Sequence, residues 1–167
     1  MGTISLRLAE FSDSEAIRGI YNHEVIHTAA TFDLVPRSLP DQQSWLEARS
    51  GAFAAIVAVD DTDDDAVVGF GALSPYKERA AYRTSVEDSV YVRTDRAGEG
   101  IGSLLVGELL HMAATTGFHA VFARINASGE ASIALHRKWG FELVGIEREV
   151  GRKFNRWHDV ALMQRLL

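Results

Sequence analysis

Three groups of residues in this sequence have the types and spacing to do chemistry. The first is an alternating glycine run, Gly98, Gly100 and Gly102, between a β-like SVYV segment and an apolar helical pattern. Backbone amides at a helix N-terminus carry unused donors and partial positive charge, and glycine lets a phosphate or pyrophosphate approach closely. The run is neither of two common phosphate loops. No Gly-Lys pair completes GxxxxGK[ST], and Ser103 stands where GxGxxG needs its third glycine. Taken as bare glycines, the run reads equally as a flexible connection before a helix. The second group is acid–base: Glu87, Asp88 and His136. Glu87 and Asp88 are adjacent in an extended segment, so they point to opposite faces and do not form a catalytic pair. Glu87 alone suits a proton acceptor or an ion pair with Arg83. The His136 imidazole suits a proton donor near neutral pH or a hydrogen-bonded structural histidine. The third group is Lys77, Arg79 and Tyr82, spaced K-x-R-x-x-Y, whose cations suit a carboxylate or simply face solvent. No cysteine is present, which excludes a thiol nucleophile, disulfides and thiolate metal sites. His23, His27, His111 and His119 show no metal-ligand spacing, so no metal is expected, and His158 reads as structural.

Hydrophobic periodicity supplies the elements that position these groups. Residues 3–8 alternate as a strand, and Ser12 with Glu15 reads as a capping box before a helix containing Ile17, Ile20 and Tyr21. Pro40 opens a second short helix. Residues 53–59 and the VVGFGALS segment read as an antiparallel pair across the acidic turn DDTDDD, and residues 84–92 as a third strand. Ile101, Leu104, Leu105, Leu109 and Met112 mark a helix over 101–116, stopped by Gly117. A strand over 119–125, a helix over 131–139 and two strands near 141–149 and 157–165 complete the pattern. The order β-α-α-β-β-β-α-β-α-β-β indicates an α/β or α+β fold with a mixed sheet, a single domain over 1–167.

The chain's 167 residues suit one core, and a 47% apolar content marks a globular protein. No run approaches the ~20 apolar residues of a membrane span, and the N-terminus lacks signal-peptide or myristoylation features. A cytoplasmic location with no membrane partner is the expectation. A net charge of −6 argues against nucleic-acid binding. That charge is uneven: residues 1–88 hold seven basic and 15 acidic side chains, and residues 89–167 hold ten and eight. A polyanionic ligand meets less repulsion at the second half.

In its context of strand, loop RAGEGIG and amphipathic helix, the glycine run resembles the coenzyme A motif of the GNAT superfamily, [QR]-x-x-G-x-[GA]. The resemblance extends along nearly the whole chain: YN at 21–22, TF at 31–32, Trp45, AYR at 81–83, VEDSVYV at 86–92, LH at 135–136, GF at 140–141, VGRKF at 150–154, WHDV at 157–160 and MQ at 163–164. Together these are similar to the phosphinothricin and methionine sulfoximine acetyltransferase branch. Two positions depart from the pattern. Ala97 occupies the first motif position, with Arg96 one place earlier, and Gly129 stands where the family usually has Asn.

The resemblance implies a GNAT-like domain whose mixed, mostly antiparallel sheet is splayed at the coenzyme site and flanked by helices. It implies acetyl-CoA as cosubstrate, with Val90, Tyr91 and Val92 pairing the pantetheine arm and Gly98, Glu99, Gly100, Ile101, Gly102 and Ser103 holding the pyrophosphate. Lys138 either reaches a phosphate or is an exposed helix lysine. Glu87 becomes the general base, His136 the donor to the departing thiolate, and the Val90 N–H the oxyanion partner. Phe32, Lys77, Arg79, Tyr82 and Glu87 would receive a small amino-acid-like acceptor, and a homodimer is expected. A GNAT enzyme acting on a protein N-terminus or another amine, or a non-catalytic acyl-CoA-binding module, are the alternatives.

Overall fold

The computed structural model describes residues 2–167. Strand β1 (Ile4–Leu8) is followed by helices α1 (Ser14–His27) and α2 (Leu39–Glu47), then strands β2 (Ile56–Asp60), β3 (Ala66–Pro75) and β4 (Ser85–Val92). Helix α3 (Ile101–Thr116), strand β5 (Ala120–Asn126), helix α4 (Glu130–Lys138) and the long hairpin β6 (Glu142–Lys153) and β7 (Arg156–Leu166) follow. The strands form one seven-stranded sheet in the order β1-β2-β3-β4-β5-β7-β6. Every pairing is antiparallel except β4 with β5. The expected mixed, mostly antiparallel sheet with flanking helices is therefore the observed one.

Side-chain alternation divides the core between the two faces of the sheet. Val86, Val121, Ala123 and Ile125 face α3, where Ile101, Leu105 and Leu109 are almost fully buried. Burial of each such α3 side chain contributes about 1.5–3 kcal/mol. Phe70, Val57 and Ala72 face the other way, against Ile17, Ile20, Tyr21 and Val25 of α1 and Leu46 of α2. Each position on β4 is thereby committed to one helical layer.

Two local readings change. The capping box forms between Glu10 and Asp13 rather than between Ser12 and Glu15: the Asp13 carboxylate accepts from the Glu10 N–H at 2.7 Å and is held in an ion pair by Arg7. That bond closes a 3-10 turn over Phe11–Asp13, which delays the helix to Ser14. Residues Gly51–Phe53 form another 3-10 turn, so β2 begins only at Ile56. Among the described residues, no helix is long and apolar enough to cross a membrane.

The feature that positions the site is a fork. β4 and β5 pair only over Ser85–Glu87 with Ala120–Phe122. Beyond Glu87, β4 continues to Val92 bonded to β3 alone, while β5 continues to Asn126 bonded to β7 alone. The two strands splay, and the facing backbone edge of β4 loses its partner.

Candidate active site

A cavity of about 870 Å³ opens in this fork. At one end it is lined by Gly98, Gly100, Ile101, Gly102, Ser103 and Lys138, and at the other by Phe32, Glu87, Arg124, Glu147 and Val150. Val90, Tyr91 and Val92 form the wall between. One cleft thus joins a phosphate-type loop, an open strand edge and a carboxylate.

The loop end is built by backbone. Gly100 is the N-cap of α3 at φ 83° and carries no side-chain cap. The amides of Ile101, Gly102 and Ser103 therefore lack intrahelical acceptors and meet the cavity at the positive end of a 16-residue helix. Gly98 has the same φ of 83°, a left-handed conformation that costs an L-residue roughly 1–2 kcal/mol. Lys138 and the Trp139 indole both donate to the Ser103 hydroxyl, at 3.3 and 3.0 Å. Glu99 differs: its carboxylate accepts from the Arg96 guanidinium at 2.9 Å and does not line the cavity. Arg96 also donates to Asp60 at 2.8 Å, across from β2. Hydrogen bonds from Thr62, then from Arg96, hold the Asp60 carboxyl down to about 2. Arg96 is consequently a clamp that fixes the loop to the sheet, and Ala97 at the motif position presents no polar side chain to the cavity. Gly129, where Asn was expected, lines the cavity as the N-cap of α4. Asn126 does not replace it, because its amide is bonded to Ser128, the Ala29 carbonyl and His158.

Glu87 lies at the crotch of the fork, the last β4 residue paired with β5. Burial raises its pKa; Arg124 opposes that rise, and the neighbouring Asp88 and Glu147 carboxylates add to it. Asp88 points to the opposite face, as alternation requires, and meets His136 there. The His136 Nε2 lies 2.9 Å from Asp88 Oδ2, and Nδ1 lies 2.7 Å from the Ser132 carbonyl. Both partners are acceptors, an arrangement that suits the protonated ring. Burial works against that charge, but the hydrogen bond and charge of Asp88, aided by Ser132, prevail and raise the pKa. Its place in the last turn of α4 also favours a cation.

Phe32 closes the far end of the cleft. Its ring tilts on His158 at 5.9 Å and packs so closely on Gly151 that a Cβ there would lie 2.3 Å from the ring. Beneath it, buried Lys153 donates to the Thr31 carbonyl at 2.8 Å. His158 donates from Nε2 to the Lys153 carbonyl and accepts at Nδ1 from Asn126, the structural part expected of it.

Lys77, Arg79 and Tyr82 are not brought to this cavity. The Lys77 ammonium lies 4.9 and 5.3 Å from the ring centroids of Tyr76 and Tyr82, and a 3-10 turn over Ala80–Tyr82 leaves the loop exposed. Tyr76 of this loop stacks on Phe122, the β5 partner of Glu87, at 4.1 Å, so the loop borders the cleft. The cation that does reach Glu87 is Arg124, with Nε at 3.5 Å from Glu87 Oε2 and Nη1 at 2.9 Å from both Glu147 oxygens. The sequence contained a sign of it: Arg124 is the one charged residue in the strand AVFARIN, as Asp88 is a charge on the apolar face of SVEDSVYV. A charge in a buried strand requires a partner.

A sheet forked beside a helix N-terminus, with an open strand edge leading to a carboxylate, defines a class of acyl-transfer protein that takes a nucleotide thioester. Residues 6–162 match the Acetyltransferase (GNAT) domain family, and the chain belongs to that family. It is 39% identical over 98% of its length to a phosphinothricin N-acetyltransferase of Streptomyces coelicolor, covering 96% of that protein. It is 37% identical over 96% of its length to an L-methionine sulfoximine/L-methionine sulfone acetyltransferase of Pseudomonas paraeruginosa, covering 92% of that protein. Among solved structures, a phosphinothricin acetyltransferase of Sinorhizobium meliloti in complex with AcCoA superposes with a TM-score of 0.93 at 37% identity, covering 99% of this chain and 89% of that one. The chain is an acetyl-CoA-dependent N-acetyltransferase, and acetyl-CoA is its cosubstrate.

Proposed function

We propose that this enzyme acetylates the α-amine of a small amino-acid-like acceptor, such as phosphinothricin or methionine sulfoximine, by direct attack on the thioester. The observation that carries this reading is the single cleft, with the amide cradle at one end and Glu87 at the other. The named activities of the relatives supply the acceptor class.

Acetyl-CoA supplies the activated acetyl group. The α3 amides and Lys138 would hold its phosphates, and the free edge of Val90–Val92 would pair with its amide-bearing arm as an added strand does. The acceptor amine is mostly ammonium near neutral pH. Glu87, with its pKa raised by burial, takes that proton directly or through water. The Val90 N–H is assigned to the charge that develops on the acyl oxygen. His136 stands in the cleft wall, but to protonate a departing thiolate it must release Asp88 or Ser132. Phe32 shapes the acceptor end. A homodimer would be built on the terminal hairpin, where Leu143, Val144 and Ile146 are exposed on edge strand β6.

Thiol release from acetyl-CoA over a panel of phosphinothricin, methionine sulfoximine, methionine sulfone and common amino acids tests the proposal. Turnover with at least one of these, giving an N-acetyl product by mass, is expected. Turnover with none of them, alongside acetylation of a peptide N-terminus, would overturn the acceptor class.

A further inference from the structure

We propose that Arg124 is the anchor for the acceptor's α-carboxylate, and that Glu147 occupies its place until the acceptor arrives; this rests on the amino-acid reading above. Three observations carry it. First, among the described residues Arg124 is the arginine or lysine side chain that lines the cavity at its Glu87 end. The other lining arginine and lysine side chains sit at the opposite end, with Arg96 on Asp60 and Glu99 and Lys138 beside Ser103.

Second, the spacing matches. In an α-amino acid, the amine and the carboxylate share one carbon, which places their polar atoms about 3 Å apart. The wall presents the reverse image, Glu87 Oε2 and Arg124 Nε at 3.5 Å, on the same face of adjacent strands. Phe122 pairs with Glu87 in register, and Arg124 is two residues further along β5, so both side chains project to the same side. An acceptor amine brought to Glu87 therefore carries its own carboxylate to the guanidinium.

Third, Arg124 has capacity to spare. Its Nη1 is shared between the two Glu147 oxygens, while Nη2 makes no hydrogen bond among the described residues. The side chains of Arg124 and Glu147 remain 35% and 36% accessible. An ion pair this open contributes little and is readily exchanged for another carboxylate. The planar guanidinium fork then offers two parallel donors to the incoming carboxylate, which fixes the acceptor's orientation as well as binding it.

The experiment compares L-methionine sulfone with its α-carboxamide, which keeps the amine and side chain and loses the negative charge. The wild-type enzyme should favour the acid. In Arg124→Gln the KM for the acid should rise roughly 10- to 100-fold, the loss expected for a charge-assisted bond, while the KM for the amide changes by less than about threefold. In Glu147→Gln, which frees the guanidinium, the KM for the acid should fall. If Arg124→Gln does not fold, Arg124→Lys, which keeps the charge without the fork, carries the same comparison. An equal rise for acid and amide, or an unchanged acid preference, would overturn the anchor while leaving the amino-acid reading intact. Failure of the wild-type enzyme to acetylate either compound, with activity on a peptide amine, would overturn both.

Discussion

Glu87 and Asp88 are chain neighbours with opposite surroundings. Glu87 faces the cleft beside Arg124, and Asp88 faces α4, where it is buried with His136. The pair joins the sheet to α4 at the cavity wall, so its charge state bears on stability. The His136 pKa is raised in the folded protein, so the pair's contribution is complete below the unfolded value of about 6.5 and is lost as pH rises through the folded value. Breaking a buried pair by removing one partner costs about 3–5 kcal/mol. Asp88→Asn should therefore be less stable than the wild type by about that amount near pH 6, and the gap should narrow toward pH 9. Denaturant unfolding of both proteins across pH measures it. A gap that widens with pH would show that the ring is neutral in the native state.

The loop from Arg93 to Gly100 and helix α3 act as one element. Arg96 ties the loop to Asp60 on β2, the buried stripe of Ile101, Leu105 and Leu109 fixes the helix to the sheet, and the free first-turn amides are thereby aimed into the fork. On the proposed reading the coenzyme's phosphates meet no polar side chain at Ala97, so their binding would depend on this main-chain rigidity. Gly100 is where the element is most sensitive, because its φ of 83° admits an L-residue only with strain. Gly100→Ala should destabilise the protein by about 1–2 kcal/mol and weaken acetyl-CoA binding roughly tenfold by turning the cap. On the proposed reading the acceptor binds at the far end of the cleft, and its KM should stay within about twofold. Calorimetry with acetyl-CoA and steady-state kinetics separate the two effects, and an unchanged coenzyme affinity would remove the N-terminus of α3 from the binding site.

Across the whole molecule, what was legible in the sequence is what depends on local periodicity. Helix α3 spans the residues its apolar spacing marks, Ile101–Thr116, and the opposed directions of Glu87 and Asp88 follow from strand alternation. The partners were not legible, since they come from distant segments: His136 lies 48 residues from Asp88, and Asp60 lies 36 from Arg96. The fork itself is a property of strand order, because β5 joins β4 in parallel and then turns its pairing to β7. Lys77, Arg79 and Tyr82 show the reverse case: their spacing suggests a carboxylate site, but their side chains do not line the forked cavity and their loop packs beside it, where Tyr76 stacks on Phe122, the β5 partner of Glu87. The central claim is that the fork delivers a thioester and an amine to Glu87. The direct test is kcat/KM for L-methionine sulfone against pH, in the wild type and in Glu87→Gln, at saturating acetyl-CoA. The expected result is a wild-type acidic limb above the ordinary carboxylate value of about 4.3, and in Glu87→Gln a loss of that limb with a rate lower by roughly 10²–10⁴-fold. A Glu87→Gln enzyme with wild-type rate and an unchanged acidic limb would contradict it.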